Sequence, residues 1–92
     1  MNYRLFYHPL VKEKDIPKLN VTIKKRIQTA LETRLRTEPE KFSEPLRKTL
    51  KGYRKLRVGD YRIVPRVKND IIYILGICHR KDVYEKVEKR TD

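Results

Sequence analysis

A single cysteine, Cys78, rules out an internal disulfide, and its place at the end of the apolar run Ile71 to Cys78 is that of a small buried thiol. The two histidines, His8 and His79, come with no cysteine pair and no His-x-x-x-His spacing, so neither a bound metal nor another cofactor is expected. No apolar stretch approaches the roughly 20 residues of a membrane-spanning helix. The opening residues MNYRLFYHPL lack the charged start, apolar stretch and small-residue cleavage site of a secretory signal, which makes the cytoplasm the expected location. Acidic residues are scarce too: 12 stand against 24 lysines and arginines, a formal net charge of +12. That imbalance favours a polyanionic partner, nucleic acid or an acidic protein before an anionic membrane.

What is present suffices for one domain spanning residues 1–92, whose core is modest because a chain this short buries only about 60–65% of its unfolded surface. Tyr3 to Tyr7 alternates around Leu5 and ends at His8-Pro9, as a short strand does. Leu10 to Ile16 is a plausible helix stopped by Pro17. Asn20 can cap a second helix whose apolar stripe is Ile23, Ile27, Leu31 and Leu35, with Ala30 alongside. Its basic residues Lys24, Lys25, Arg26 and Arg34 read as a solvated face. Thr37 to Pro45, with two prolines, reads as a loop.

From Leu50 the hydrophobic period changes to two. Tyr53 to Val58 and Asp60 to Lys68 are expected strands joined at Gly59-Asp60, a pair suited to a type II′ hairpin turn. That turn places Val58 opposite Tyr61, Arg57 opposite Arg62, Leu56 opposite Ile63, Lys55 opposite Val64 and Tyr53 opposite Arg66. One face then carries Leu56, Val58, Tyr61, Ile63 and Val67. The other carries Tyr53, Lys55, Arg57, Arg62, Val64, Arg66 and Lys68. Pro65 cannot donate to a ladder and points to a bulge or a local opening. After Asn69-Asp70 the run Ile71 to Cys78, apolar on both faces, is a central strand, and Lys81 to Arg90 is a helix with Val83 and Val87 inward. The expected fold class is α+β, with helices on one face of a mostly antiparallel sheet.

The cations collect on one face because the other is needed for the core, yet like charges set directly opposite each other, as Arg57 and Arg62 are, cost roughly 0.2–1 kcal/mol per pair. Scarcely any carboxylate is at hand to neutralise them. Cations interleaved with Tyr53 suit phosphates and stacked bases, particularly of single-stranded nucleic acid.

Two stretches, LKGYRKLRVGDYRIV at residues 50 to 64 and GICHRKDVYEKV at 76 to 87, resemble the RelE/ParE superfamily of type II toxins. In its RelE-like branch the resemblance implies an endoribonuclease that enters the ribosomal A site and cuts messenger RNA, blocked by a cognate antitoxin encoded nearby. Carried over residue by residue, it points to Lys55, Arg62, Arg80 and Tyr84 as catalytic groups. Tyr53, Arg57, Arg66, Lys68, His79 and Lys81 are further candidates for RNA contact. One position departs from the family: Tyr53 stands where the best-known members have lysine, with Arg54 beside it but pointing to the other face.

Metal-free cleavage can use the substrate's own 2′-hydroxyl as nucleophile on the adjacent phosphate. Arginine stays protonated and cannot be the base, so Arg62 and Arg80 fall to the phosphate, where a planar fork meets two oxygens. Tyr84 is then base or stacking platform, and Lys55 acid or charge stabiliser. Two other classes fit the same residues: a ParE-like gyrase inhibitor, and a non-catalytic nucleic-acid-binding module whose affinity falls with salt and which cuts nothing. Tyr61, on the inward face, is expected in the core.

Overall fold

The computed structural model describes residues 3–46 and 52–91. Leu50, where the period-two pattern begins, lies outside them. The first strand, β1 (Arg4–Tyr7), leads into a wide helical turn at Val11–Asp15 and a 3₁₀ turn at Ile16–Lys18. Pro17 therefore does not stop this segment. It sits at the first positions of the 3₁₀ turn, where a missing N–H costs nothing. Helix α1 (Val21–Ala30) starts where expected, with the Asn20 side chain accepting the Ile23 N–H at 2.9 Å, and widens into a π-type segment at Leu31–Leu35.

The stretch expected as a loop carries a short helix, α2 (Pro39–Phe42), and a two-residue strand, β2 (Glu44–Pro45). Proline at the start of α2 is compatible with a helix for the same reason as at Pro17. Strands β3 (Arg54–Val58), β4 (Tyr61–Lys68) and β5 (Ile71–His79) and helix α3 (Val83–Arg90) complete the chain. The sheet is five-stranded in the order β1-β5-β4-β3-β2, with β1 parallel to β5 and every other pair antiparallel.

The hairpin register is the one the turn dictates: Val58 faces Tyr61, Arg57 faces Arg62 and Leu56 faces Ile63, with a further bridge from Tyr53 to Arg66. Gly59 adopts φ +60 while Asp60 stays at negative φ, as a type II′ turn requires. At Pro65 the ladder shifts. Val64 pairs with Gly76 but Pro65 with Ile74, leaving Leu75 as the extra residue on β5.

That bulge rephases β5 and divides its apolar residues between two cores. Ile72, Ile74 and Ile77 join Val11, Ile27, Leu31, Leu35, Leu56 and Ile63 under the N-terminal helices. Leu75 and Cys78 join Leu46, Val64, Val83 and Val87 under α3. The sheet is thus covered on both faces, not one: the hairpin's second face gives its centre, Val64, to α3 and keeps its cations around the rim.

β5 is flanked by β1 only as far as Ile74, so its backbone beyond that point needs other partners. A buried ion pair supplies them. Asp15 Oδ2 accepts the Ile77 N–H at 2.9 Å, and Arg90 Nη1 donates to the Leu75 carbonyl at 3.1 Å. The two side chains meet in a bidentate pair at 2.7 and 2.8 Å, and Lys86 Nζ lies 3.5 Å from the same carboxylate. Gly76 makes the approach possible, since a Cβ there would stand 3.2 Å from Arg90 Nη1. Burial alone would raise the Asp15 pKa. The hydrogen bonds from Arg90 and Ile77 and the charges of Arg90 and Lys86 outweigh it and hold the carboxyl below its ordinary value.

Candidate functional site at the cationic hairpin

The register sets Arg57 and Arg62 beside the turn, on the α3-facing side of the sheet. Arg57 and Arg62 face each other across the hairpin, and Arg62 faces Cys78 on its other flank. Lys55 lies one step further along β3, on the same face. Tyr84, at the start of α3, packs on the cluster that contains both Val64 and Cys78, which brings it over the same rows. Arg80 arrives from the end of β5. Its N–H donates to the Asp60 carbonyl at 2.8 Å, and its Nε lies 3.9 Å from the Asp60 carboxylate.

Arg62 is held by its own turn: Nη1 donates to the carbonyls of Gly59 at 3.1 Å and Tyr61 at 2.9 Å. Two bonds from one nitrogen fix the guanidinium plane while leaving most of its five donors for a ligand. Lys55 has a carboxylate for a neighbour, because β2 sets Glu44 directly across from it. The cationic face is therefore less free of acid than the hairpin alone implies. Arg54 does not replace the family's missing lysine. Its guanidinium is engaged with Ser43, donating to Oγ and to the carbonyl, each at 2.8 Å, and so braces the stretch between α2 and β2.

The remaining expected contacts divide. Tyr53, Arg66 and Lys68 share the face of Lys55 but lie toward the far end of the sheet, with Arg66 stacked over the Tyr53 ring at 5.4 Å. His79 parts company with the site. It pairs with Tyr61, their rings meeting edge to face at 5.6 Å, on the helix-covered side opposite Arg62. Its Nδ1 accepts the Lys81 N–H at 3.2 Å, and Lys81 itself is exposed beyond the strand. Tyr61 packs against the main core, as expected. Arg57 also borders a second cleft of about 270 Å³, lined by Lys25, Arg26 and Arg34.

Sequence reasoning missed Asp15 and Arg90, though both lie on apolar stripes: Asp15 four residues after Val11, and Arg90 three after Val87. A charged residue on a buried stripe is the signal that was available. Cys78, beneath α3, has its thiol pushed up to about 11 by burial, against the smaller opposing pull of Lys86. It should resist iodoacetamide at neutral pH and react only on unfolding. Labelling of the native protein at the rate of a free thiol would contradict this placement.

Among the described residues no cluster of histidine, cysteine, aspartate and glutamate could hold a metal ion, and no helix is long and apolar enough to cross a membrane.

A mixed sheet wrapped on both faces, with arginines held at one hairpin, defines a small basic α+β domain. The chain belongs to the RelE/ParE superfamily of type II toxins: the model of the ParE toxin of type II toxin–antitoxin systems matches residues 5–84. Among solved structures it resembles the RelBE2 toxin–antitoxin complex of Mycobacterium tuberculosis, with 27% identity over 87% of this chain and 100% of that one and a TM-score of 0.79. It also resembles the archaeal RelE–RelB complex of Pyrococcus horikoshii, with 29% identity over 87% of this chain and 97% of that one and a TM-score of 0.69. Free RelE of E. coli shares the fold at 18% identity, covering 98% of both chains with a TM-score of 0.74. Curated protein sequences give no match.

Proposed function

We propose that this type II toxin is a ribosome-dependent messenger endoribonuclease whose active site is the turn end of the β3–β4 hairpin. What supports this reading is that Arg62 and Arg80 are both tied by hydrogen bonds to the residues of one turn, with Lys55 further along the same sheet face and Tyr84 packed on the cluster beneath α3. In this reading the 2′-hydroxyl attacks the adjacent phosphorus, the P–O5′ bond breaks, and the products are a 2′,3′-cyclic phosphate and a free 5′-hydroxyl. Arg62 and Arg80 stabilise the charge that builds on the phosphorane oxygens. Lys55 and Tyr84 divide the two proton transfers, one taking the 2′ proton and the other supplying the 5′-oxygen.

The Mycobacterium and Pyrococcus relatives are toxin–antitoxin complexes, which supports a cognate antitoxin here as well, one that covers the cationic rim with an acidic or amphipathic segment. The ribosomal A site and its messenger are the partners this activity requires, and the cytoplasm the compartment. A second reading, inhibition of gyrase, is favoured by the match to a ParE family model.

Inducible expression in a bacterial host, with messenger 5′ ends mapped by primer extension, separates the two. New breaks inside translated codons that disappear when translation is blocked are expected. Growth arrest with intact messengers and a DNA-damage response would instead establish the gyrase reading.

A further inference from the structure

Beyond Lys55 the α3-facing side of the sheet continues for rows that the cleavage chemistry does not use. Strand geometry sets same-face rows roughly 7 Å apart, so the Tyr53–Arg66 row lies about 13 Å from the Arg57–Arg62 row, with Lys55 between. The registers extend that distal row across the sheet as Tyr53 just before β3, Arg66 on β4, Tyr73 on β5 and Phe6 on β1. Lys68 follows one step further.

This row combines three properties. Its rings are partly accessible: Tyr53 and Tyr73 are half-buried, each packing one side against the second core, and Phe6 beside Tyr73 is 49% exposed. Its cations line a cavity of about 480 Å³ bounded by Tyr53, Arg66, Lys68, Asn69, Ile71 and Tyr73, with no acid among the described residues that line it. The Tyr73 phenol stays neutral, since burial and then the nearby Tyr53 raise its pKa. The guanidinium of Arg66, 5.4 Å from the centre of the Tyr53 ring, suits both cation–π contact and phosphate binding.

We propose that this distal row is a second subsite for single-stranded RNA, in which bases flanking the cut stack on Tyr53 and Tyr73 while Arg66 and Lys68 hold the connecting phosphates. The subsite rests on the reading of the hairpin turn as the cleavage site and stands about one or two nucleotides away from it, on the side where this chain has Tyr53 in place of a cation. An acidic peptide would use the two cations but gain nothing from aligned rings, which is why RNA is the better occupant. Tyr53 then exchanges a general electrostatic contact for a stacking one, and the consequence is a preference at a flanking base.

The test uses 2′-O-methyl oligoribonucleotides, which cannot be cut through the 2′-oxygen, in lengths of about two and six nucleotides, with binding followed by fluorescence anisotropy at two salt concentrations. The longer oligomer should bind the wild-type toxin more tightly. Tyr53→Leu should weaken the longer one by roughly ten-fold and leave the shorter one unchanged, while Tyr53→Phe, which keeps the ring, should retain wild-type affinity. Arg66→Gln should lower the salt slope for the longer oligomer by about 0.7, the value of one single-strand phosphate contact. Equal losses for both lengths, no loss in Tyr53→Leu, or failure of Tyr53→Phe to retain affinity would overturn the subsite. So would a polyglutamate peptide that displaces the longer oligomer equally well from wild type and Tyr53→Leu. Messenger cleavage by the wild type with length-independent binding removes the subsite alone. Length-dependent, ring-dependent binding without any cleavage keeps it and removes the nuclease reading.

Discussion

Asp15→Ala is expected to lower the unfolding free energy by about 3–5 kcal/mol, the usual cost of leaving one partner of a buried ion pair uncompensated. Domains of this size have only about 5–15 kcal/mol in total, so urea unfolding should show a much earlier midpoint. The cause is specific to the site: Arg90 would lose both carboxylate bonds and the Ile77 N–H its acceptor, all in a place water reaches poorly. Replacing the pair together, Asp15→Leu with Arg90→Met, should cost much less than Asp15→Ala, because no unpaired charge remains. Equal stability of Asp15→Ala and wild type would show that the pair does not latch α3. The pH dependence has a definite sign. The Asp15 pKa is depressed in the folded protein, so its contribution is complete above the unfolded value near ~4 and is lost as pH falls through the lower folded value. The gap between wild type and Asp15→Asn should therefore shrink on acidification below about pH 4. Since α3 has only eight residues and cannot persist undocked, and since it carries Tyr84, the same substitution should also depress toxicity.

The hairpin was legible because a turn with glycine first leaves one register, and that register alone places Arg57 against Arg62 and Tyr53 against Arg66. The Asn20 cap followed from a single residue, and Pro65 narrowed its strand to a bulge or a local opening, of which the ladder takes the bulge. The side of the sheet that α3 covers was not legible. Val83 and Val87 say only that the helix has an inner face, and the matching Val64 looked like an apolar residue stranded among cations. The position of His79 was hidden for a related reason: adjacent residues on a strand point to opposite faces, so a histidine beside the matched Arg80 is carried away from Arg62 by the strand that delivers it. Asp15 escaped because its partners are distant in sequence, Ile77 and Arg90, and only the short reach of β1 creates the unpaired backbone that needs it. The distal row was half legible. Tyr53 and Arg66 were paired by the turn, whereas Tyr73 joined them through the antiparallel pairing of β4 with β5 beyond the bulge, and Phe6 through a parallel strand that no local signal announces.

Arg62→Ala and Arg80→Ala are each expected to reduce messenger cleavage by about 10²–10³-fold, the scale for removing one donor aimed at charge that develops in the transition state. Primer extension across a translated message would measure it, with heat unfolding as the control for fold. Little stability should be lost. Arg80 is exposed and its ion pair with Asp60 is long and solvated, and the Arg62 bonds are made to carbonyls of its own turn. The double variant should fall well short of the product of the single losses, because two forks on one phosphorane act as a unit. Arg62→Lys discriminates further. An ammonium restores the charge but not the planar pair of donors, so cleavage should remain far below wild type if the guanidinium grips two oxygens, whereas full recovery would reduce Arg62 to a source of positive potential. Arg57 and Arg62 repel by roughly 0.2–1 kcal/mol across the hairpin, and on the proposed function a phosphate held by Arg62 would offset that repulsion. A surface that is slightly strained alone and relieved by its ligand is one in which the cations contribute more to the bound state than to the fold. That is the physical ground for expecting the arginine substitutions to abolish activity while leaving the protein folded.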